Sequence, residues 1–462
     1  MNKPIPTSTN STLNSPLNSR NQAAQIVMAV MDGKRLEVAL DALNPLEGTQ
    51  RKFAAAMALT SLRHYHLINK HLRRLMKRPL PRKAKRAHAF LIIGVAQLLY
   101  MDVPAHASVS ETVSAFIGGL GKNARAGAQP HKNLINAILR ALSREQIADK
   151  VPTFAPLEAL PDWWAQNWRN TYGEAQAEAI VKQCLTPPPL DIQFKSAAAC
   201  LRMQAALTKG DYEVLHNDAL RLAHSGDIKT LPDFDKGDWW IQDIAASLPA
   251  RILLHTHKTG AVLDLCAAPG GKAMQLISGV AASGAEVVCV DYDAARLALL
   301  RDNLTRTSLS ATLIEADILK WETLEKWSDK KWHSILLDAP CSATGTLRRN
   351  PDILLHKRQG DITRAATTQK RLLAQAATLT ADGGTLLYCV CSLEPQEGEA
   401  QIQQFLNSHP DFALDPIGGL PEGFANSGAD SVAQSSGMIR IMPSDYKGGC
   451  DGFFIAQLHK KA

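Results

Sequence analysis

The chain reads as a multidomain protein: an all-α N-terminal domain, a small α/β connector, and a C-terminal α/β domain of Rossmann-like type. Two patterns predict this. Between Asn21 and Gln146 apolar residues recur at spacings of three and four, with no alternating strand pattern. From about Gly237 onward, short β-rich apolar runs alternate with helical stretches, the signature of a doubly wound parallel sheet. A length of 462 residues accommodates several such domains.

The first 20 residues, rich in Ser, Thr, Asn and Pro, carry no apolar core of a signal peptide. They bury too little surface to offset chain entropy, so residues 1–20 are expected to be a disordered tail. The helical domain is expected over 21–150, with periodic segments Gln22–Leu43, Arg51–Leu75, Arg82–Tyr100 and Leu134–Leu142. Within it, Arg73, Arg74, Lys77, Arg78, Arg82, Lys83, Lys85 and Arg86 crowd a stretch broken by Pro79 and Pro81. Such a run is either a solvated helix-turn-helix surface or a phosphate-contacting patch. A net charge of +7 favours an anionic partner, nucleic acid being the commonest.

The connector is expected over 151–236. Trp163, Trp164 and Trp168 share a helix whose plain role is core packing. Thr186-Pro187-Pro188-Pro189 then breaks any helix and leads into an extended segment, Leu190–Lys195. The α/β domain, 237–462, offers strand runs Ala261–Cys266, Glu286–Asp291, Ala311–Asp317, His333–Asp338 and Gly384–Val390. No apolar run approaches membrane-spanning length, and the 8 cysteines are too scattered for a disulfide framework. A cytoplasmic protein with reduced thiols is therefore expected, bound to no membrane.

Ligands of open α/β sheets bind beyond the carboxyl ends of the strands. The first run ends in Cys266, Ala267, Ala268, Pro269, Gly270, Gly271 and Lys272, small residues that let backbone amides approach a ligand at a helix N-terminus. A phosphate loop would need glycine where Cys266 stands and a hydroxyl where Ala273 stands, and the G-x-G-x-x-G dinucleotide pattern is missing. Asp291 ends the next run, placed to accept hydrogen bonds from ribose hydroxyls, and Asp317 ends the third, placed for an adenine amino group. Asp338 ends the fourth. Acids at successive strand ends without a phosphate cradle suit a nucleoside, and S-adenosylmethionine fits. The plainer reading makes these aspartates helix N-caps.

Cysteines also stand just past two strand ends, Cys341 in Asp338-Ala-Pro-Cys-Ser342 and Cys391 in Tyr388-Cys-Val-Cys-Ser392. A lone cysteine is usually an inert small hydrophobe, the reading kept for Cys184, Cys200, Cys289 and Cys450. Cys389 and Cys391 share strand parity, but no second Cys or His cluster nearby supports a metal site, and no metal is expected.

Taken together, Cys266–Lys272, Asp338–Gly345, Tyr388–Ser392, Arg349-Asn-Pro-Asp352 and Asp451-Gly-Phe-Phe454 resemble the RNA cytosine-C5 methyltransferases. Upstream, Gly94–Met101, Pro104–Thr112 and Asn133–Arg140 resemble the NusB-like RNA-binding domain. The resemblance covers nearly everything after the tail. It implies methylation of a specific cytosine at C5, using S-adenosylmethionine as methyl donor, with Cys391 the nucleophile that adds to C6 and Cys341 assisting product release. Cys266 to Lys272, Asp291, Asp317 and Asp338 match cofactor-binding positions, and Asp338 also stands within reach of the cytosine. Lys272 is placed to hold either Asp338 or the proton-abstracting base, and Gln242-Asp243 resembles a segment packing beside the site. Cys389 stands where alanine is more usual. The paired domains imply 16S ribosomal RNA, free or in a partly assembled small subunit, as the partner of a monomeric enzyme. The alternatives are another RNA such as transfer RNA, or a non-catalytic RNA-binding or antitermination factor.

Overall fold

In the computed structural model the described residues are 18–223, 228–324, 326–418, 420–421, 424 and 436–462. By contacts the chain forms two compact units, Met1–Pro187 with Leu347–Lys357, and Pro188–Thr346 with Arg358–Ala462. The expected connector is thus divided, its helices Asp162–Tyr172 and Glu174–Cys184 falling in the first unit and its strands, with the helix Ala197–Ala206, in the second.

The first unit is helical: Ser19–Met31, Gly48–Arg63, Tyr65–Leu75, Lys85–Tyr100, Ala105–Gly118, Lys122–Ile147, Asp162–Tyr172 and Glu174–Cys184. Asn18 caps the first helix by accepting the Arg20 amide, and Ser19 and Arg20 are buried. The last residues of the anticipated tail are therefore ordered, and residues 1–17 lie outside the described residues. The periodic segment Gln22–Leu43 is interrupted after Met31, where Gly33 adopts a φ of 90°. Periodicity could not show that break, because both pieces face one core of Ile26, Val27, Met57, Leu62, Phe90, Leu91 and Leu139. Trp164 and Trp168 are fully buried in their helix, as core packing requires.

The excursion Leu347–Lys357 belongs to this unit. Arg63 donates to the Arg348 carbonyl at 2.9 Å, the Leu36 amide donates to Asp352 at 2.9 Å, and His356 Nε2 lies 2.8 Å from the Val30 carbonyl. The Arg349–Asp352 motif is therefore built into the helical unit.

The second unit opens with an antiparallel sheet of β1 (Leu190–Phe194), β2 (Tyr212–His216), β3 (Ala219–Leu222) and β4 (Trp239–Ile241), ordered β2-β3-β1-β4. The main sheet follows: β5 (Val262–Leu265), β6 (Val287–Asp291), β7 (Thr312–Glu315), β8 (Trp332–Asp338), β9 (Thr380–Val390), β10 (Phe412–Leu414), β11 (Met438–Ile441) and β12 (Phe453–Lys460). Its order is β10-β12-β9-β8-β5-β6-β7, with β11 on β12. The stretch β9-β8-β5-β6-β7 is parallel, whereas β12 pairs antiparallel with β9. The sheet is mixed rather than purely parallel, a common end for doubly wound folds.

Alternate residues of the parallel strands enter two cores. Val262, Cys289, Leu336 and Leu387 face the helices Ile244–Thr256 and Gly271–Val280, while Leu263, Val288, Ile335 and Leu386 face Gln359–Leu379 and Glu399–Ser408. Burial on both faces explains the continuous apolar runs. Among the described residues no helix is long and apolar enough to cross a membrane.

Candidate active site

Every residue singled out as a site candidate lies along the carboxyl edge of β5, β6, β8 and β9 or just beyond β7. At β5, Cys266 adopts a φ of 64° and turns the chain, and the Ala267 amide bonds to the Val290 carbonyl at 3.0 Å. Gly270, at φ 110°, caps the helix Gly271–Val280, and a Cβ there would lie 2.3 Å from Leu300 Cδ1. Only glycine satisfies both the turn and the close approach.

Asp291, buried at the end of β6, grips this loop. Its two oxygens accept the Ala268 amide at 3.2 Å and the Asp293 amide at 3.1 Å, and Arg296 lies 3.6 Å away. Asp317 is exposed and caps a short 3-10 helix through the Leu319 amide at 3.0 Å. Helix capping is thus a real part of its role, and one acceptor oxygen remains beyond that bond. The adjacent Tyr292 is 68% exposed. An acid at each of these strand ends, small residues between them and no lysine-serine phosphate cradle make a chemical fit to a nucleoside ligand.

Across the strand edge lies the second half of the site. Lys272 Nζ sits 2.8 Å from Asp338 Oδ2 and 5.2 Å from the Phe453 ring centroid. Burial works against the ammonium, but Asp338, together with the nearby thiols, outweighs it and the Lys272 pKa is raised. Cys389, in register with Asp338, donates to its other oxygen at 3.4 Å. Burial and then the Asp338 charge push that thiol's pKa up.

Just past β9, Cys391 Sγ is 3.2 Å from Cys341 Sγ. The Cys341 thiol is pushed well up by its hydrogen bond to Cys391 and by burial, with the Cys391 and Glu397 charges adding to it. Two sulfurs from loops 50 positions apart thus meet at one point. The loops are joined by Gly345, whose amide bonds to the Cys391 carbonyl at 3.1 Å and whose carbonyl accepts the Gly452 amide at 2.8 Å. A Cβ on Gly345 would lie 2.1 Å from the Gly452 carbonyl oxygen, so the motifs around 345 and 452 need glycine for one shared contact. Asp243 ties Asp451 to this edge by accepting its amide at 3.0 Å, and Gln242 bonds to Gln275 at 2.7 Å on the helix after the loop.

Some participants escaped the sequence reading. Asp264 of β5 is fully buried with neither carboxylate oxygen hydrogen-bonded, and burial followed by the Asp338 charge raises its pKa well above the usual range. Glu397, Ser342, Ser392 and Gln369 form a buried polar cluster behind the cysteines. The repeated Cys-Ser pair was the visible signal for that cluster. Among the described residues no group of three or more His, Cys, Asp and Glu side chains is arranged to hold a metal ion.

Comparison with known proteins now bears on this geometry. The 16S rRNA methyltransferase RsmB/F family matches residues 251–459, and the NusB family matches residues 17–144. The ribosomal RNA small subunit methyltransferase B of Sodalis glossinidius (strain morsitans) is 34% identical over 96% of this chain and 98% of its own length. This chain belongs to that family. It is accordingly an S-adenosylmethionine-dependent ribosomal RNA methyltransferase with an N-terminal NusB domain. The Xanthomonas campestris pv. campestris protein of the same name is likewise 34% identical, over 96% of this chain and 97% of its own. Among solved structures, PH0851 shares the fold over 96% of this chain and 99% of its own, with a TM-score of 0.71 at 22% identity. A methyltransferase homologue from Pyrococcus horikoshii covers 65% of this chain and 95% of its own, at 26% identity and a TM-score of 0.52.

Proposed function

We propose that the chain methylates C5 of a specific cytosine in 16S ribosomal RNA through a transient bond between Cys391 and C6. The observation that carries this reading is the meeting of Cys391 and Cys341, 3.2 Å apart, beside the Lys272–Asp338 pair. Cytosine C5 alone is too weak a nucleophile to take a methyl group. Addition of the Cys391 thiolate to C6 pushes an electron pair into the ring and makes C5 carbanion-like. With S-adenosylmethionine held by the Cys266–Lys272 loop, Asp291 and Asp317, C5 attacks the sulfonium methyl; the S–CH3 bond breaks and its electron pair stays on sulfur, leaving S-adenosylhomocysteine as the by-product. Asp338 then hydrogen-bonds the polar edge of the cytosine, and Lys272 fixes its orientation at 2.8 Å. After methylation the C5 proton leaves to a base and the C6–sulfur electron pair returns to Cys391, with Cys341 assisting release.

RNA engagement is assigned to the helical unit. There Arg73, Lys77, Arg78, Arg82 and Lys83 are exposed, while Arg74 pairs with Glu145 and Arg86 stacks on Phe90 and Phe116. The names of the relatives favour ribosomal over transfer RNA, and the pair of thiols favours an enzyme over a binding factor.

The test is bisulfite sequencing of 16S RNA from cells with and without the gene, followed by two variants. One cytosine should lose its methyl group in the deletion. Cys391→Ala should restore none of it, whereas Cys341→Ala should accumulate a protein–RNA adduct that survives denaturation. An unchanged methylation map, or an adduct that depends on altering Cys391 instead, would reject the reading.

A further inference from the structure

We propose that Glu397 is a positioning residue that sets the spacing of the two reactive cysteines by gripping the serine that follows each. The roles of the cysteines rest on the reading above; the grip itself rests on geometry. Glu397, Ser342, Thr344, Gln369 and Ser392 are all buried, between 0% and 1% exposed. Four donors converge on the Glu397 carboxylate. Oε1 accepts the Ser342 hydroxyl and, at 2.8 Å, the Ser392 hydroxyl. Oε2 accepts the Ser342 amide at 2.8 Å and Gln369 Nε2 at 2.8 Å. The hydroxyls of Ser342 and Ser392 are 3.0 Å apart, and Thr344 Oγ1 lies 3.3 Å from Ser392 Oγ.

A carboxylate has about four lone-pair positions, so this one is filled by the two loops and the helix behind them. The cluster reaches the backbone as well. Gln369 also donates to the Pro340 carbonyl at 3.0 Å, just before Cys341. The Tyr388 hydroxyl donates to the Glu397 carbonyl at 2.8 Å, holding the glutamate to β9, which delivers Cys391. Each Cys-Ser turn is therefore pinned on its buried side, leaving its sulfur on the other side with little freedom to part from its neighbour. A core built for packing alone would place apolar side chains here, since a buried carboxylate is costly unless fully hydrogen-bonded. With all four carboxylate positions of Glu397 occupied, the network specifies one arrangement of the two loops, and here that arrangement is a pair of thiols in contact.

The spacing can be read without RNA or S-adenosylmethionine. Diamide removes two electrons and two protons from a thiol pair, and the rate at which the Cys341–Cys391 disulfide appears, followed by peptide mapping, reports how often the sulfurs meet. In Glu397→Gln an amide NH2 confronts donors where an oxygen accepted them. Disulfide formation and kcat should each fall at least about tenfold, the scale expected of displacement by a fraction of an ångström. The KM for RNA and the affinity for S-adenosylmethionine should stay within about twofold, because Glu397 touches neither. A merely structural residue would instead lower the folded fraction and all of these readouts together. Should Glu397→Gln fail to fold, Ser342→Ala and Ser392→Ala each remove one donor and should slow the same cross-link. A folded Glu397→Gln, or either serine variant in its absence, with wild-type cross-linking and kcat overturns the proposal. Slowed cross-linking in a protein whose Cys391→Ala form still methylates RNA would keep the grip and reject the catalytic reading instead.

Discussion

In the helical unit burial holds four histidines in their neutral form, and in the α/β unit it does the same for several thiols and one carboxyl. Burial lowers the pKa of His64, His66, His71 and His88, bringing His64 down to about 4. In the other unit, burial raises Asp264, Cys266, Cys289 and Cys389, and hydrogen bonding to Cys391 together with burial raises Cys341. Both follow from one rule, that low dielectric disfavours charge. The consequences differ. Neutral histidines are the stable form at neutral pH, so the helical unit is at rest there. In the proposed mechanism a site lined with such thiols generates its thiolate locally, with the partly buried Lys272 ammonium as the cation that favours it.

The sharpest way to break this comparison is to remove that cation. Lys272→Met keeps the length of the stem but leaves Asp338 without its 2.8 Å partner. The pair is only partly shielded from solvent, with 30% of the Asp338 side chain exposed, so the cost to folding should be modest beside the effect on the reaction. Methyl transfer should fall on the order of a hundredfold beyond any loss of folded protein, measured as tritium transferred to 16S RNA per folded molecule. An unchanged rate would show that the ammonium plays no part in making the thiolate.

Acid should unfold the helical unit first. A base whose folded pKa is lowered contributes stability above its unfolded pKa and loses it as pH falls. For His64 the window runs from 6.5 down to about 4, with up to about 1.4 kcal/mol lost per pH unit. Hydrogen exchange should show the Gly48–Arg63 helix opening in that window while β5 stays protected. His64→Phe, which keeps the stack on Tyr100 (centroids 3.9 Å apart), should flatten the response.

Alkali should act on the other unit. A carboxyl with a raised folded pKa contributes stability below its unfolded pKa and loses it as pH rises, so Asp264 weakens the sheet from about pH 4 upward. Asp264→Asn, neutral and of the same shape, should raise Tm at pH 8 by a few degrees and leave Tm at pH 4 unchanged. Equal gains at both pH values would assign the effect to packing. The smallest expected effect is on the surface, where Arg74→Ala removes the Glu145 ion pair at the cost of no more than about 1 kcal/mol in urea unfolding.

Much of this was legible in the residues. Periodicity separated a helical half from an α/β half, and the parallel strands fell within a few residues of their apolar runs, as at Val287–Asp291 and Trp332–Asp338. Strand-end placement also brought out Cys266–Lys272, Asp291, Asp317, Asp338, Cys341 and Cys391. Less legible were β10, β11 and β12, which are short or follow irregular loops, so no alternation long enough to read marks them. Glu397 escaped because a glutamate in a polar run looks solvated. Its burial depends on a helix and a strand end that are distant in sequence.

By itself, then, the amino-acid order determined which segments become helix or strand and which chemical groups stand at strand ends, since these follow from local spacing and backbone preference. Tertiary structure alone decided that Cys341 and Cys391 touch, that Arg349–Asp352 builds into the helical unit, and that one glutamate holds two serines. Those outcomes depend on strand order and register, which bring together residues that no local periodicity relates.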